Sequence, residues 1–392
     1  MKKIRLGDLV NTSSGATPLS SNKEYYENGD IPWINSGEVG QYKINFAEKF
    51  ITKEGFEKSN TKIFPKDTIL VAMYGATAGK TSILNINACT NQAVCAILPS
   101  ENVNNIFLKY KLDNIYDYLV QISSGSARDN LSQKVIQDLE INLPLLETQQ
   151  KIAKILSDID DKIEVLHQIN DNLAELAKTI YDYWFVQFDF PDENGKPYKT
   201  SGGKMVYNEV LKREIPEGWE VKKLGEILKK NETTIKINAK DYLSSGSIPI
   251  IDQSSDFICG YTNEISALIK ASNIPAIIFG DHTRILKFID FDFARGADGT
   301  QILFSNNEKM PQYLFYHSLL KIDLSNYGYA RHFKFLKEQK ILLSDRLIAE
   351  KFTDNVKTIY EKIKINRNQI QHLQSLRDWL LPMLMNGQIS VE

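Results

Sequence analysis

The apolar positions of the chain follow two different spacings. In two segments they recur every three or four residues, which predicts long helices that pair along a heptad seam. These segments run from about residue 147 to 185 and over residues 345–392. Elsewhere, short β-type runs such as residues 68–73 and 276–279 lie between turns rich in Gly, Ser and Asn. That second pattern is typical of compact α+β domains.

Both helical segments carry one polar residue where the seam spacing expects an apolar one. Asn170 interrupts the first seam and Asn366 the second. A buried Asn lowers stability but fixes register, which suits two helices that must keep one alignment. The same spacing also continues through Leu176 and Leu376. The seam is predicted at Ile152, Ile159, Ile163, Leu166, Asn170 and Leu173, facing Val356, Ile363, Asn366 and Leu373. The helix pattern alone leaves open an ordinary packed helical core.

The chain also repeats itself after about 200 residues. The anchors of the repeat are residues 6–9 with 224–227, 31–34 with 248–251, 125–128 with 328–331, and 152–153 with 348–349. The residues between these anchors differ widely, which favours one task performed on two different targets. If a pseudo-two-fold axis relates the copies, their helices pair antiparallel. A helix of roughly 40 residues spans about 60 Å, enough to serve grooves one DNA turn apart.

These patterns together predict an α+β protein. Its two pseudo-two-fold-related α/β target-recognition domains are separated by two long antiparallel coiled-coil helices. The predicted boundaries are 1–145 for the first recognition domain, 146–187 for the first spacer helix, 188–214 for a connector, 215–344 for the second recognition domain and 345–392 for the second spacer helix.

Composition narrows the possible functions only a little. No stretch reaches the roughly 20 apolar residues of a membrane span, and no signal peptide is recognisable, so a cytoplasmic location is expected. Cys89, Cys95 and Cys259 have no spacing typical of a thiolate metal site, so no metal site is expected. The net charge of −2 does not suggest a nucleic-acid partner, although local basic clusters leave one open.

No segment of the chain matches a known catalytic motif completely. Residues 75–81 approach a P-loop, but the required Gly at position 74 is Tyr74. The loop is therefore predicted to be a turn or a contact to DNA phosphate. Residues 191–196 have the wrong spacing for a nuclease, and no pair of adjacent prolines offers an amino-methyltransferase motif. No catalytic residue is predicted, and the chain is expected not to be an enzyme.

The chain resembles the specificity subunits of type I restriction–modification systems. The resemblance is carried by residues 143–153, 172–185, 190–203, 215–219, 290–293, 296–300 and 329–337, and covers essentially the whole chain. It implies a subunit that reads a bipartite, asymmetric site in double-stranded DNA, one half per recognition domain. The implied partners are two methyltransferase subunits docked on the helices and two motor-nuclease restriction subunits. S-adenosylmethionine, ATP and Mg would be bound by those partners, and no cofactor by this chain.

Two alternatives stay open beside this function. The chain could be a coiled-coil scaffold without a DNA function, or a spare recognition cassette. Neighbouring genes and sequence-dependent retention of DNA would separate them.

The predicted DNA contacts lie in corresponding loops of the two copies. Arg and Asn can each bind one base through two hydrogen bonds, whereas Lys mostly holds phosphate. Candidate base readers are Arg128, Asn130, Arg284 and Arg331, candidate phosphate contacts are Lys80, Lys334 and Lys337, and further DNA contacts are expected from Tyr74, Thr77, Ser126, His282 and His332. The alternative is a solvated surface charge, or a hydrogen-bonded loop residue for either histidine.

An acidic stretch covers residues 158–164 of the first long helix. The simplest interpretation is a solvated helix face, and the functional alternative is a surface that docks the methyltransferase.

Overall fold

A computed structural model describes residues 2–124, 131–230, 234–328 and 331–391. Internal contacts divide the chain into two units. Unit 1 comprises Met1–Leu166 and Gln369–Glu392, and unit 2 comprises His167–Asn368. Each unit combines a mixed α/β domain with portions of two long helices.

The strands of unit 1 are short and form one two-stranded, one four-stranded and one five-stranded sheet. They are β1 Lys2–Arg5, β2 Thr12–Ser14, β3 Ile31–Ile34, β4 Lys43–Ile44, β5 Lys49–Ile51, β6 Ile63–Phe64, β7 Ile69–Ala72, β8 Thr81–Leu84, β9 Ala88–Thr90, β10 Val94–Ile97 and β11 Glu140–Leu143. Its helices are α1 Lys53–Glu57, α2 Asn105–Asn114, α3 Tyr116–Ser124, α4 Gln133–Gln137 and the start of α5, Leu146–Tyr181.

The core of unit 1 forms where strands carry apolar residues on both faces. β7, β8 and β10 are buried at every position, as expected for central strands covered on two sides. The five-stranded sheet has the order β2-β10-β7-β8-β4, and the four-stranded sheet has the order β5-β3-β9-β6. Asn104 caps α2 by accepting a hydrogen bond from the Phe107 N–H, which starts that helix beside the core.

The strands of unit 2 follow a short π-helical turn, Asp182–Val186, at the end of α5. They are β12 Met205–Asn208, β13 Arg213–Pro216, β14 Glu220–Lys223, β15 Lys236–Ile237, β16 Ile248–Ile251, β17 Gly260–Thr262, β18 Leu268–Ile269, β19 Ala276–Gly280, β20 Leu286–Ile289, β21 Phe293–Gly296, β22 Thr300–Leu303 and β23 Lys340–Leu343. The remaining helices are α6 Gln312–Leu320, α7 Phe333–Glu338 and α8 Arg346–Met385, whose residues beyond Asn368 belong to unit 1.

Both units share a topology, which supports the duplication inferred from the sequence. β1 pairs antiparallel with β11, and β14 pairs with β23 in the same way. β3 lies parallel to β9, as β16 does to β21. β7 lies between β10 and β8, as β19 lies between β22 and β20. The predicted α+β class with two domains is confirmed.

Within each unit the two helix portions pack antiparallel. In unit 1, Ile163 and Leu166 of α5 form a cluster with Ile370 of α8. Leu156, earlier on α5, shares a core with Leu384, later on α8. In unit 2, the side-chain amide N–H of Asn366 donates to the side-chain oxygen Oδ1 of Asn170 at 2.9 Å. Tyr181 packs edge-on against Phe352. The antiparallel pairing is therefore confirmed.

Most residues of the predicted seam are buried or half-buried. Ile152 and Val356 are buried, Asn366 is 1% exposed, and Ile159 and Leu373 pack against the Ile163 cluster. Leu173, Ile363 and Asn170 are half-buried.

The continuation of the seam through Leu176 and Leu376 is wrong. These side chains are 49% and 43% exposed, and Ala177 is buried in place of Leu176. The rings of Tyr181 and Phe352 meet next to Ala177 in the core, so a small residue fits there.

The residues predicted to be a connector contain local structure. Phe190 stacks on Tyr198 and Trp219, and the carboxylate of Asp189 accepts hydrogen bonds from the N–H and hydroxyl of Thr200. Strand β12 pairs with β13 in a hairpin. The connector and domain boundaries taken from the sequence stay predictions.

Candidate nucleic-acid interface

In unit 1, three loops meet beyond the ends of β3, β7 and β9. The loop after β7 covers residues 73–80, and the hydroxyl of Thr77 donates to the carbonyl of Ser36 at 2.8 Å. The N–H of Asn91 donates to Ile34, which ties the loop after β9 to the loop after β3. We define residues 35–41, 73–80, 91–93 and Leu131 as the loop edge of unit 1.

The loop of residues 73–80 connects two antiparallel strands of one sheet. A P-loop instead leads from a strand into a helix whose N-terminus faces the phosphates. Gly75 and Gly79 have φ values of +75° and +83°, which suit glycine and close the turn tightly. The geometry therefore agrees with a hairpin turn and not with a nucleotide-binding loop.

In unit 2, the corresponding loops meet in the same way. The loop of residues 281–285 connects β19 and β20, and the hydroxyl of Thr283 donates to the carbonyl of Gln253 at 2.8 Å. Thr283 thus repeats the contact of Thr77, because Ser36 and Gln253 each lie two residues beyond the corresponding strand. The side chain of Gln253 also donates to the carbonyl of Asp298 and accepts from the N–H of His282. Residues 252–255, 281–285, 297–299 and 331–332 form the loop edge of unit 2.

One backbone junction is the same in both loop edges. In unit 1 the N–H of Met73 donates to Ala93 at 2.8 Å, and the carbonyl of Met73 accepts from Leu131 at 3.0 Å. In unit 2 the N–H of Asp281 donates to Gly299 at 2.7 Å, and the carbonyl of Asp281 accepts from His332 at 2.8 Å. The two edges therefore share a frame, and side chains distinguish them.

The described DNA-contact candidates lie at or beside these edges. Tyr74 and Lys80 are exposed on the edge of unit 1, where Thr77 is half-buried. Arg284 and Arg331 are exposed on the edge of unit 2, where His282 is half-buried. Ser126, Arg128 and Asn130 lie outside the described residues.

The other three candidates of unit 2 lie on helix α7 or directly before it. The ammonium of Lys334 lies 4.6 Å from the ring centroid of Phe335, and that of Lys337 lies 5.1 Å from the ring centroid of Phe333. Both lysines stay exposed. His332 is only 2% exposed, and its ring nitrogens lie 3.0 and 2.9 Å from the carbonyl oxygens of Asp281 and Gly328.

The structure favours the alternative for His332, a hydrogen-bonded loop histidine. Its ring could contact DNA only if these two bonds broke and the start of α7 moved. The placement of the other described candidates leaves their DNA contacts as predictions.

Sequence reasoning missed four side chains of the unit 2 edge. Lys236 forms an ion pair with Asp298 at 2.6 Å, Arg295 lies on β21, and Gln253 bridges two loops. Their position in the sequence could have revealed part of this set. Residues 252–255 are a polar run directly after the repeated Ile248-Pro249 anchor, and loops at strand ends are common binding elements.

The acidic stretch of α5 is a solvated face only in part, because Asp158 and Asp161 are exposed while Asp160 is buried, which corrects the simplest interpretation of the sequence. Asp160 is 3% exposed, and its carboxylate accepts a hydrogen bond from Tyr110 at 2.5 Å and from Arg377 at 2.8 Å. Asp161 pairs with Lys43 at 2.5 Å. Burial and the charge of Asp160 both raise the pKa of Tyr110, so its hydroxyl stays protonated and donates.

Two other kinds of site are absent from the described residues. Those residues contain no group of three or more His, Cys, Asp and Glu side chains placed to hold a metal ion. No helix among them is both long enough and apolar enough to cross a membrane.

Comparison with known proteins gives one consistent family. Residues 1–175 match the family described as the type I restriction modification DNA specificity domain. The specificity subunit of the type I restriction enzyme MjaIX of Methanocaldococcus jannaschii is 33% identical over this whole chain and 94% of its own length. The specificity subunit of EcoR124I/EcoR124II of Escherichia coli is 25% identical over 47% of this chain and 48% of its own.

The crystal structure of a type I restriction–modification S subunit from M. genitalium has the same fold. It is superimposed with a TM-score of 0.54 at 18% identity, over 98% of this chain and 95% of that one. The full-length relative at 33% identity, together with the matching domain, decides the family. This chain belongs to the specificity subunits of type I restriction–modification enzymes.

Proposed function

We propose that each unit reads one half of a bipartite, asymmetric site in double-stranded DNA through its loop edge. The observation that carries the proposal is the shared hydrogen-bonded frame with different side chains. Thr77 and Thr283 make the same contact in the two edges, whereas Met73 and Asp281 occupy one junction with different chemistry. A constant frame with variable side chains suits one way of docking on two different sequences.

The chain itself is a non-catalytic member of its complex, as its family membership shows. We propose that S-adenosylmethionine, ATP and Mg bind to the partner subunits and that this chain binds none of them. Two methyltransferase subunits would methylate adenine, and two motor-nuclease subunits would join them for cleavage. The chain would act in the cytoplasm, where it would meet the double-stranded DNA that it is proposed to bind.

Docking of the methyltransferase subunits is proposed for the long helices, which would also set the spacing of the half-sites. Its support is exposed apolar surface. In unit 1, Leu376 and Trp379 of α8 are 43% and 55% exposed. In unit 2, Leu176 of α5 and Ile365 of α8 are 49% and 58% exposed. Neighbouring apolar side chains left in water commonly mark protein interfaces.

The DNA proposal is tested by Arg331→Ala in the complex reconstituted with its methyltransferase subunits. Duplexes randomised at both half-sites are selected by binding and then sequenced. We expect a relaxed preference at one position of one half-site, worth about 1–3 kcal/mol, and an unchanged second half-site. Arg346→Ala is the matched control, since Arg346 is an exposed arginine paired with Glu308 and Glu350 outside the loop edge.

Two results would contradict the DNA proposal. A wild-type complex that selects no sequence would favour a scaffold or an inactive cassette. Equal losses at both half-sites from Arg331→Ala would exclude a base contact by Arg331.

The docking proposal is tested by the double variant Leu376→Ser/Trp379→Ser. We expect at least tenfold weaker co-purification of the methyltransferase subunits, because two apolar anchors leave the interface. Leu19→Ser is the matched control, since Leu19 is 65% exposed but lies in the domain of unit 1. Undiminished binding by the double variant would remove this surface of α8 from the interface.

A further inference from the structure

Three cationic side chains of unit 2 act electrostatically on one exposed carboxylate. Lys236 pairs with Asp298 at 2.6 Å, and Asp298 is 88% exposed. The bond to Lys236 and its charge, followed by the charges of Arg331 and Arg295, lower the pKa of Asp298. Lys236 and Arg295 are direct partners in the parallel register of β15 and β21. The three cations come from three separate elements and converge on the loop edge of unit 2.

Other carboxylates near this edge already have partners. Asp252 accepts hydrogen bonds from Tyr242 at 3.1 Å and Cys259 at 2.8 Å, and Asp281 accepts from the N–H of Phe333 at 2.8 Å. Both aspartates are less than 10% exposed. Asp298 is therefore the exposed anion that these three cations share, and a single carboxylate cannot satisfy three cationic groups.

Arg295 differs from the other cations in how it is held. It lies on β21, half-buried, between its register partners Ile251 and Lys236. Its Nε–H is buried and has no hydrogen-bond partner among the described residues. A buried donor without an acceptor is costly, and an arginine held by a strand is better positioned than one on a loop.

The matching position of unit 1 supports a role in specificity. Ile34 pairs with Thr90 in the parallel register of β3 and β9, as Ile251 pairs with Arg295 in that of β16 and β21. Thr90 is fully buried, whereas Arg295 is long enough to extend from the same point. The two copies therefore differ at a rigid position of their loop edges.

We propose that Arg295 is a base-reading residue of unit 2, whose guanidinium donates two hydrogen bonds to O6 and N7 of one guanine. Lys236 and Asp298 position it, and Arg331 completes the cationic surface. The inference rests on the proposed function, because it needs duplex DNA on the loop edge of unit 2. It adds a specificity-determining residue that comes from a strand and not from a loop.

The experiment compares Arg295→Ala and Arg295→Lys in the complex with the methyltransferase subunits. The probe is again a duplex library randomised at both half-sites, and binding is also measured as a function of salt concentration. Lys keeps the charge of Arg295 but cannot form the paired hydrogen bonds. We expect both variants to lose at least fivefold preference for one G·C pair in one half-site. The preferences of the other half-site, read by unit 1, are the internal control.

Each outcome decides a different point. If Arg295→Lys keeps the wild-type preference while Arg295→Ala lowers the slope of log K against log salt by about one, Arg295 holds phosphate and the inference is wrong. If both variants keep the preference but melt at lower temperature, Arg295 is structural and the inference is again wrong. If the wild type selects no sequence, the proposed function itself fails. Lys236→Ala should weaken the preference for that G·C pair without abolishing it, because Lys236 acts only through the position of Arg295.

Discussion

The two units solve the same packing problem with opposite chemistry. When the helices of the two units are aligned on the repeated anchors, three positions correspond. Tyr110 of unit 1 matches His317 of unit 2, Asp160 matches Val356, and Arg377 matches Tyr181. In unit 1 these side chains form a buried ionic network. In unit 2 the ring of Tyr181 stacks on His317, and the hydroxyl of Tyr360 lies 3.2 Å from its Nε2.

The difference shows what the duplicated frame requires at this point. The space between the α/β domain and its helices must be filled, and every buried polar group must have a partner. A Tyr–Asp–Arg network and an aromatic cluster both meet these conditions. The two copies can therefore diverge in sequence while the helix portions keep their packing against each domain.

Breaking the ionic network should give the largest effect. Asp160→Ala leaves Arg377 partly buried without its main partner, and we expect the free energy of unfolding of unit 1 to fall by about 3–5 kcal/mol. Hydrogen exchange of α2, followed by mass spectrometry, measures the loss locally. Asp161→Ala is the control, because Asp161 is half exposed in its pair with Lys43 and should matter by less than about 1 kcal/mol.

A transplant sharpens the same test. Asp160→Val with Arg377→Tyr copies two of the three residues of unit 2 into unit 1, and apolar replacements of buried ion pairs are often neutral. The double variant should recover most of the stability lost by Asp160→Ala. A loss as large as that of the single variant would mean that the two positions are not equivalent.

The aromatic cluster should make unit 2 sensitive to acid. Burial lowers the pKa of His317 to about 4, while the charge of Asp182 raises it slightly and the charge of Lys321 lowers it slightly. The folded chain then holds His317 neutral while the unfolded chain protonates it below about pH 6.5. Its contribution is complete above that pH and falls as the pH decreases towards 4.

We expect His317 to account for a loss of about 2 kcal/mol between pH 7 and pH 5. Urea unfolding at the two pH values measures it as the difference between the wild type and His317→Phe. His372→Phe is the matched control, because His372 is exposed on α8. An equal pH dependence of the wild type and His317→Phe would contradict a neutral, buried His317.

The junction of the loop edges should give the smallest effect. The carboxylate of Asp281 accepts a hydrogen bond from the N–H of Phe333 at the start of α7, whereas unit 1 has Met73 at this junction. Asp281→Met should lower the stability of α7 by about 1 kcal/mol, the usual effect of removing a helix cap. Asp281→Asn keeps an accepting oxygen and should retain most of it. Faster hydrogen exchange of α7 in the Met variant alone is the expected result, and equal exchange in both would contradict it.

Much of the fold follows from the sequence because it depends on periodic patterns. The spacing of Ile152, Ile163 and Leu166 predicted a helix seam, and the repeat of Ile31-Pro32 at Ile248-Pro249 predicted two related domains. Asn170 and Asn366 were expected at equivalent seam positions, and they bond to each other. Such features are local or repeated, so that one sequence is enough to show them.

The loop edges were predicted only in part. Lys80, Arg284 and Arg331 were expected near DNA from residue type and loop position, and the structure leaves them exposed. His332 was included by the same reasoning, but its burial depends on carbonyl groups of Asp281 and Gly328 that no pattern in the sequence brings together. Arg295 was missed because it lies inside a strand, where a charged residue gives no signal of contact.

The sequence by itself determined the two copies, their helices and the register of the Asn pair, because these follow from spacing along one chain. Only the tertiary structure decided which polar residues are used inside the protein. Asp160 reads as a solvated acid in the sequence and is buried against Tyr110 and Arg377 in the fold. The reason is physical, since burial of a charge depends on partners that are distant in sequence and meet only when the chain has folded.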